Sequence, residues 1–202
     1  MKFYIKEFNE LLNKTIVCVD IQPEYMSGIT FLEDWIEFLN ENYNGNRIVL
    51  LYNGADTMDM ISESDYQMWL IENGLEEEAL DYIEFYDKGY AFFRNCMDEG
   101  IEHDQIVELV RYMRSKDIND SRDIESHNWN AFVEHSGISV NEIREYLEDN
   151  DDMINIPDLM DYLERFNNIV LMGGGVDECL AEVEIALSAL GKSYHNYDEF
   201  IY

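Results

Sequence analysis

Apolar positions along this chain switch between two periods. Thr15-Ile16-Val17-Cys18-Val19 and Arg47 to Tyr52 are near-continuous apolar runs, the pattern of strands buried on both faces of a parallel sheet. Ile83-Glu84-Phe85-Tyr86 alternates and reads as a third strand ending near Asp87-Lys88. Asn168 to Met172 is a fourth run and Lys192 to Tyr197 a short fifth. Elsewhere the spacing is helical. Phe3 to Leu12 predicts a short helix or arm, and Phe31 to Tyr43 a helix through Leu32, Trp35, Ile36 and Leu39. Tyr66 to Glu72 continues from a helix start at Ser62-Glu63-Ser64-Asp65, and Asp177 to Leu190 is a last helix capped by Gly191.

From Asp98 to Glu164 the pattern holds no strand. Ile101 to Ser115, Trp129 to His135, Val140 to Leu147 and Leu159 to Phe166 each carry helical spacing. Strands alternating with helices predict a three-layer α/β/α fold with right-handed crossovers: a mostly parallel sheet of about five strands, interrupted by an all-helical insertion. The expected organisation is residues 1–97 and 158–202 as two parts of one α/β domain, with 98–157 inserted between them.

Charge narrows the partners. The chain carries 44 acidic and 13 basic residues, a formal net charge of -31. Phosphate-binding surfaces need the opposite sign, so direct binding of nucleic acid or an anionic membrane is not expected. An anionic substrate would need a local cationic exception. A solvated acidic surface explains the charge most simply; an acidic decoy that mimics nucleic acid before a basic protein partner, and adaptation to salt, are the sharper alternatives. No apolar stretch approaches the roughly 20 residues of a membrane span. Three cysteines, Cys18, Cys96 and Cys179, close no disulfide framework, and no leader pattern precedes the first strand, so a reduced, cytoplasmic protein is expected.

Cys179 follows Gly173-Gly174-Gly175-Val176-Asp177-Glu178, between the fourth strand and the last helix. A helix N-terminus offers N–H donors and partial positive charge, which favour a thiolate. Asp20 ends the first strand and Lys88 the third, and ligands of open parallel sheets bind beyond the carboxyl ends of the strands. The three residues are therefore expected to converge. The carboxylate can take the thiol proton, and the ammonium can stabilise developing negative charge. Taken singly, they are equally a cap, a surface lysine and a small buried hydrophobe, and the neighbouring Asp177 and Glu178 oppose a thiolate.

Asp20-Ile21-Gln22 after an apolar strand, Lys88 before Gly89-Tyr90-Ala91-Phe92-Phe93, and Gly173 through Cys179 together resemble the isochorismatase-like cysteine hydrolases. The resemblance covers about residues 14–94 and 157–200. It implies hydrolysis of a small amide or related bond, with Asp20 as general base, Lys88 as electrostatic partner and Cys179 as the nucleophile that forms an acyl intermediate. It also implies an oxyanion hole from the N–H groups of Glu178 and Cys179, and a cis peptide at Gly174-Gly175 or Gly175-Val176. Gln22, Asn53, Gly175 and Val176 are the candidate substrate-binding positions, and homo-oligomers are common in the family.

This chain departs from the family pattern in ways that matter. Val176 replaces the usual Thr, and no histidine lies between Asp20 and Lys88, so the metal set of the nicotinamidase branch is missing. Neither a metal nor another cofactor is expected. His103, His127, His135 and His195 lack ligand spacing, and the acid-rich 145–152 run lacks the glycine and terminal Glu of a calcium loop. The insertion is expected to build a lid or a partner surface, or else to obstruct the site. In the last case the chain would be a catalytically silent scaffold acting as an acidic protein-binding module.

Overall fold

In the computed structural model, which describes residues 13–27, 29–55, 60–89, 100–118, 123, 126–139, 141 and 156–202, five strands form one all-parallel sheet. They are β1 (Thr15–Val19), β2 (Arg47–Tyr52), β3 (Ile83–Asp87), β4 (Ile169–Gly173) and β5 (Tyr194–Asn196), in the order β3-β2-β1-β4-β5. β1 is central. Ile16 lies between Ile48 and Val170, and Cys18 between Leu50 and Met172. All five β1 residues are buried, which is why the run is apolar without alternation. β3, at an edge, is only partly covered beyond Ile83 and keeps the alternating pattern.

One face of the sheet presents Ile16, Cys18, Ile48, Leu50, Tyr52, Val170 and Met172. These pack with Trp35, Ile36, Phe38 and Leu39 of α1 (Leu32–Asn42) and with Tyr66 and Leu70 of α2 (Glu63–Glu72) in one core. The opposite face, with Val17, Val19, Val49, Leu51 and Leu171, is buried too. A parallel sheet covered on both faces is the arrangement of a three-layer α/β fold. α2 begins where the Ser62 signal places it, with Ser62 Oγ accepting the Asp65 N–H at 3.2 Å.

Contacts divide the chain into two units. The first comprises the described residues of Met1–Lys88, Phe166–Leu180 and Ser193–Tyr202, and holds the whole sheet. The second comprises those of Gly89–Arg165 and Ala181–Lys192. It contains α3 (His103–Ser115), α4 (Asn130–Ser136), α5 (Ile156–Glu164) and most of α6 (Cys179–Ala189), and no strand among its described residues. α3 buries Ile106, Val107, Leu109, Val110 and Met113, the face its spacing predicts. It starts at His103 rather than Ile101 because a Glu102/Gln105 capping box ends the preceding turn. Arg114 of α3 pairs with Asp161 at 3.2 Å and Glu164 at 2.7 Å on α5.

α6 starts at Cys179, two residues later than its apolar spacing suggests, because Val176, Asp177 and Glu178 form a turn. Its far end closes as expected: Gly191 is left-handed, and the Lys192 N–H donates to Leu187 O at 2.9 Å. That cap consumes Lys192, so β5 is shorter than the apolar pattern. The expected Phe3 to Leu12 helix, and nearly all of the Val140 to Leu147 one, lie outside the described residues. No described helix is long and apolar enough to cross a membrane.

Candidate active site

The strand order reverses between β1 and β4, since the chain runs outward from β1 to β2 and β3 on one side and from β4 to β5 on the other. The carboxyl ends of β1 and β4 are thus the switch point, the usual location of a ligand crevice in such sheets. Asp20 leaves β1 there in a left-handed conformation, φ 51°, with its N–H still bonded to Leu51 O at 2.9 Å. Its side chain is fully buried. Lys88 leaves β3 with its N–H on Tyr52 O at 2.8 Å, and its equally buried Nζ lies 3.1 Å from Asp20 Oδ2.

Two buried charges stay in a protein interior only when further polar groups support them. Asn53, just past β2, supplies that support to both: its Nδ2 donates to Asp20 Oδ2 at 3.3 Å, and its Oδ1 accepts from Lys88 Nζ at 3.4 Å. The same amide donates to the Tyr25 hydroxyl at 3.0 Å. Gln22 holds the Asn53 backbone, accepting its N–H at 2.9 Å and donating to its carbonyl at 3.3 Å. Gln22 also donates to Glu24 Oε2 at 2.9 Å. The ends of β1, β2 and β3 are thereby tied into one buried polar network. One atom in it is left over. Asp20 Oδ1 is buried and has no hydrogen-bond partner among the described residues. Such an oxygen costs about 1–3 kcal/mol, a loss that functional sites tolerate.

The Cys179 loop reaches the same edge from β4. Gly173 is left-handed, φ 78°, and a Cβ there would collide with the Val19 carbonyl and lie 2.7 Å from Ile21 Cγ1. Gly173→Ala is expected to cost at least about 2 kcal/mol, from left-handed strain plus overlap with backbone. A stability loss in urea of less than a third of that, at unchanged m, would show that the loop has room to relax. Cys179 opens α6 and is 5 % exposed.

Tyr202 joins the two halves. Its N–H donates to Gly174 O at 3.2 Å and its carbonyl accepts from Val176 N–H at 3.1 Å, while its hydroxyl donates to Asp20 O at 3.0 Å. Its phenol is raised above the ordinary tyrosine range, chiefly by burial, then by the charges of Asp20, Cys179 and Tyr25, with Lys88 opposing. Asp20, Lys88 and Cys179 therefore all act electrostatically on one hydroxyl. Cys18 is a contrast: burial pushes its thiol up to about 12, and the nearby Trp35 indole offsets only a small part of that rise.

Asp20, Lys88 and Asn53 are brought together directly, and Gln22 is a buried support of Asn53. Glu178 is placed differently from the oxyanion role expected of it. Its N–H donates to Gly175 O at 3.0 Å, because the turn before α6 uses that donor. Val176 is 59 % exposed at the rim, and the Gly175 carbonyl also accepts from Leu180 N–H at 3.3 Å. No cis peptide occurs among the described residues, so the one expected at Gly174-Gly175 or Gly175-Val176 is absent; the loop instead passes through left-handed Gly173 and Gly174. Tyr25 and Tyr202 had no signal in the local pattern. Among the described residues no cluster of three or more His, Cys, Asp or Glu is arranged to hold a metal ion. Comparisons with protein-family models, with curated proteins and with solved structures find no match to this chain.

Proposed function

We propose that this chain is a cysteine hydrolase of the isochorismatase-like type, cleaving an amide or related bond of a small molecule. The observation that carries the reading is the fully buried Asp20–Lys88 pair with its unpartnered Oδ1, at the switch point that also holds the Cys179 loop. Buried, coupled ionisable groups in that position are characteristic of chemical sites.

In the proposed reaction the Cys179 thiol gives its proton to Asp20 as sulfur attacks the carbonyl carbon. The tetrahedral intermediate collapses with loss of the amine, which takes the proton from Asp20, and an acyl thioester remains on Cys179. Water then attacks the thioester, again giving a proton to Asp20. The proton returns to sulfur as the carboxylic acid product leaves. Lys88 remains an ammonium throughout, holding Asp20 and offsetting negative charge. The oxyanion is met by N–H groups at the start of α6, and Glu178 joins them only when its donor leaves Gly175 O.

Iodoacetamide labelling of the native protein, read by peptide mass, is expected to modify Cys179 at least about tenfold faster than Cys18 at neutral pH. A panel of small amides and enol ethers should leave a substrate-derived mass on Cys179 and none on Cys179→Ala. Equal, slow labelling of both thiols would overturn the hydrolase reading and favour the silent acidic scaffold.

A further inference from the structure

We propose that Tyr202 is a positioning residue of this site: it clamps the Asp20 end of β1 to the Cys179 loop and sets the geometry between base and nucleophile. This rests on the hydrolase reading above. The two halves of the site come from different strands, and each leaves its strand through a left-handed residue, Asp20 at φ 51° and Gly173 at φ 78°. Asp20 keeps its N–H on Leu51 O and Gly173 is paired with Val19, so both turns start at the last ladder positions of their strands. Tyr202 holds both. Its main chain brackets the loop at Gly174 and Val176, and its hydroxyl bonds the carbonyl of Asp20 itself.

The clamp is itself anchored. Tyr197 N–H donates to Leu171 O at 2.8 Å, which ties the start of the terminal segment to β4. Phe200 is buried in the core against Phe31 and Phe38, with ring centroids 5.4 Å and 5.5 Å apart. Between these anchors and the site, Tyr202 has little freedom to drift. The Phe31 ring, 6.4 Å from it, packs on the same side. A tyrosine serving only as packing would need its ring and not its hydroxyl. Here the hydroxyl is spent on Asp20, whose Oδ1 accepts no hydrogen bond among the described residues.

Tyr202→Phe keeps the ring and both main-chain bonds and removes only the link to Asp20. The experiment compares the rate of Cys179 alkylation by iodoacetamide, against pH, in the wild type, Tyr202→Phe and Asp20→Asn, with Cys18 as internal control and thermal melting in parallel. Loss of one hydrogen bond that fixes the base is expected to slow Cys179 about 5- to 10-fold at neutral pH and move its alkylation midpoint upward, leaving Cys18 unchanged. Asp20→Asn should slow it at least as much. A lowered melting temperature with an unchanged or faster Cys179 profile overturns the proposal, because packing alone would then account for Tyr202. An ordinary, slow Cys179 in the wild type would instead sink the hydrolase reading, and this inference with it.

Discussion

Lys88→Met is expected to lower stability by about 3–5 kcal/mol at neutral pH, the usual cost of stripping one partner from a buried ion pair. The substitution keeps most of the side-chain volume, so little of that loss is cavity. What remains is Asp20, fully buried, with the Asn53 Nδ2 donor at 3.3 Å. Coulomb attraction that offset the desolvation of the carboxylate is gone, while the desolvation stays. The double variant Asp20→Asn/Lys88→Met should recover a large part of the loss, since neutral groups in the same network carry no such penalty. Urea denaturation of the wild type, both single variants and the double variant measures this directly. A single-variant loss below about 1 kcal/mol would mean that the pair behaves like an exposed one.

That comparison exists within the same molecule. Arg47–Glu84 and Arg114–Glu164 are also close pairs, but their side chains are a third or more exposed. Water screens them, and each is worth roughly 0–1 kcal/mol. The Asp20–Lys88 pair differs in burial and in what surrounds it: Asn53 contacts both members, and Gln22 fixes Asn53 through two hydrogen bonds to its main chain. A pair kept only for stability would be replaceable by apolar side chains at little cost. One that also leaves a carboxylate oxygen without a partner among the described residues fits the role proposed for Asp20.

How much of this was legible in the amino-acid order depends on the range of the physics involved. β1 and β2 were legible to the residue, because strands buried on both faces must be apolar throughout. The position of Asp20 and Lys88 at strand ends followed from the same runs, and parallel topology then put them at one edge. Their contact, and the insertion of Asn53 between them, depend on side-chain distances that no spacing encodes. The start of α6 was misplaced by two residues because Asp177 and Glu178 suit a first helical turn as well as they suit a tight turn. That shift commits the Glu178 N–H to Gly175 O, changing the expected oxyanion donors. Tyr202 was out of reach altogether. It bonds a residue 182 positions away, and a lone tyrosine at that distance carries no periodic signal.

Alkaline pH should destabilise the fold in large part through buried groups next to the site. Burial holds the Cys18 thiol at about 12 instead of 9.0, and raises the Tyr66 phenol well above 10.0, with the charges of Cys18 and Asp20 adding to the effect. Both groups are neutral in folded and unfolded chains below their ordinary values, so their contribution is fully present there. Above about pH 9 the unfolded chain releases the Cys18 proton while the folded chain keeps it, and stability falls until the folded thiol also ionises near 12. Three units at about 1.4 kcal/mol each set a ceiling of roughly 4 kcal/mol for this thiol. Tyr66 adds to the loss from about pH 10 upward, by the same sign. Cys18→Ala should lower stability by a constant amount at neutral pH, as a small core truncation does, and flatten the fall between about pH 9 and 12. The slope, not the offset, is the test. Urea midpoints that decline in parallel for the wild type and Cys18→Ala would assign the alkaline loss to repulsion among the carboxylates and tyrosinates of a chain already at -31, and remove Cys18 from the account.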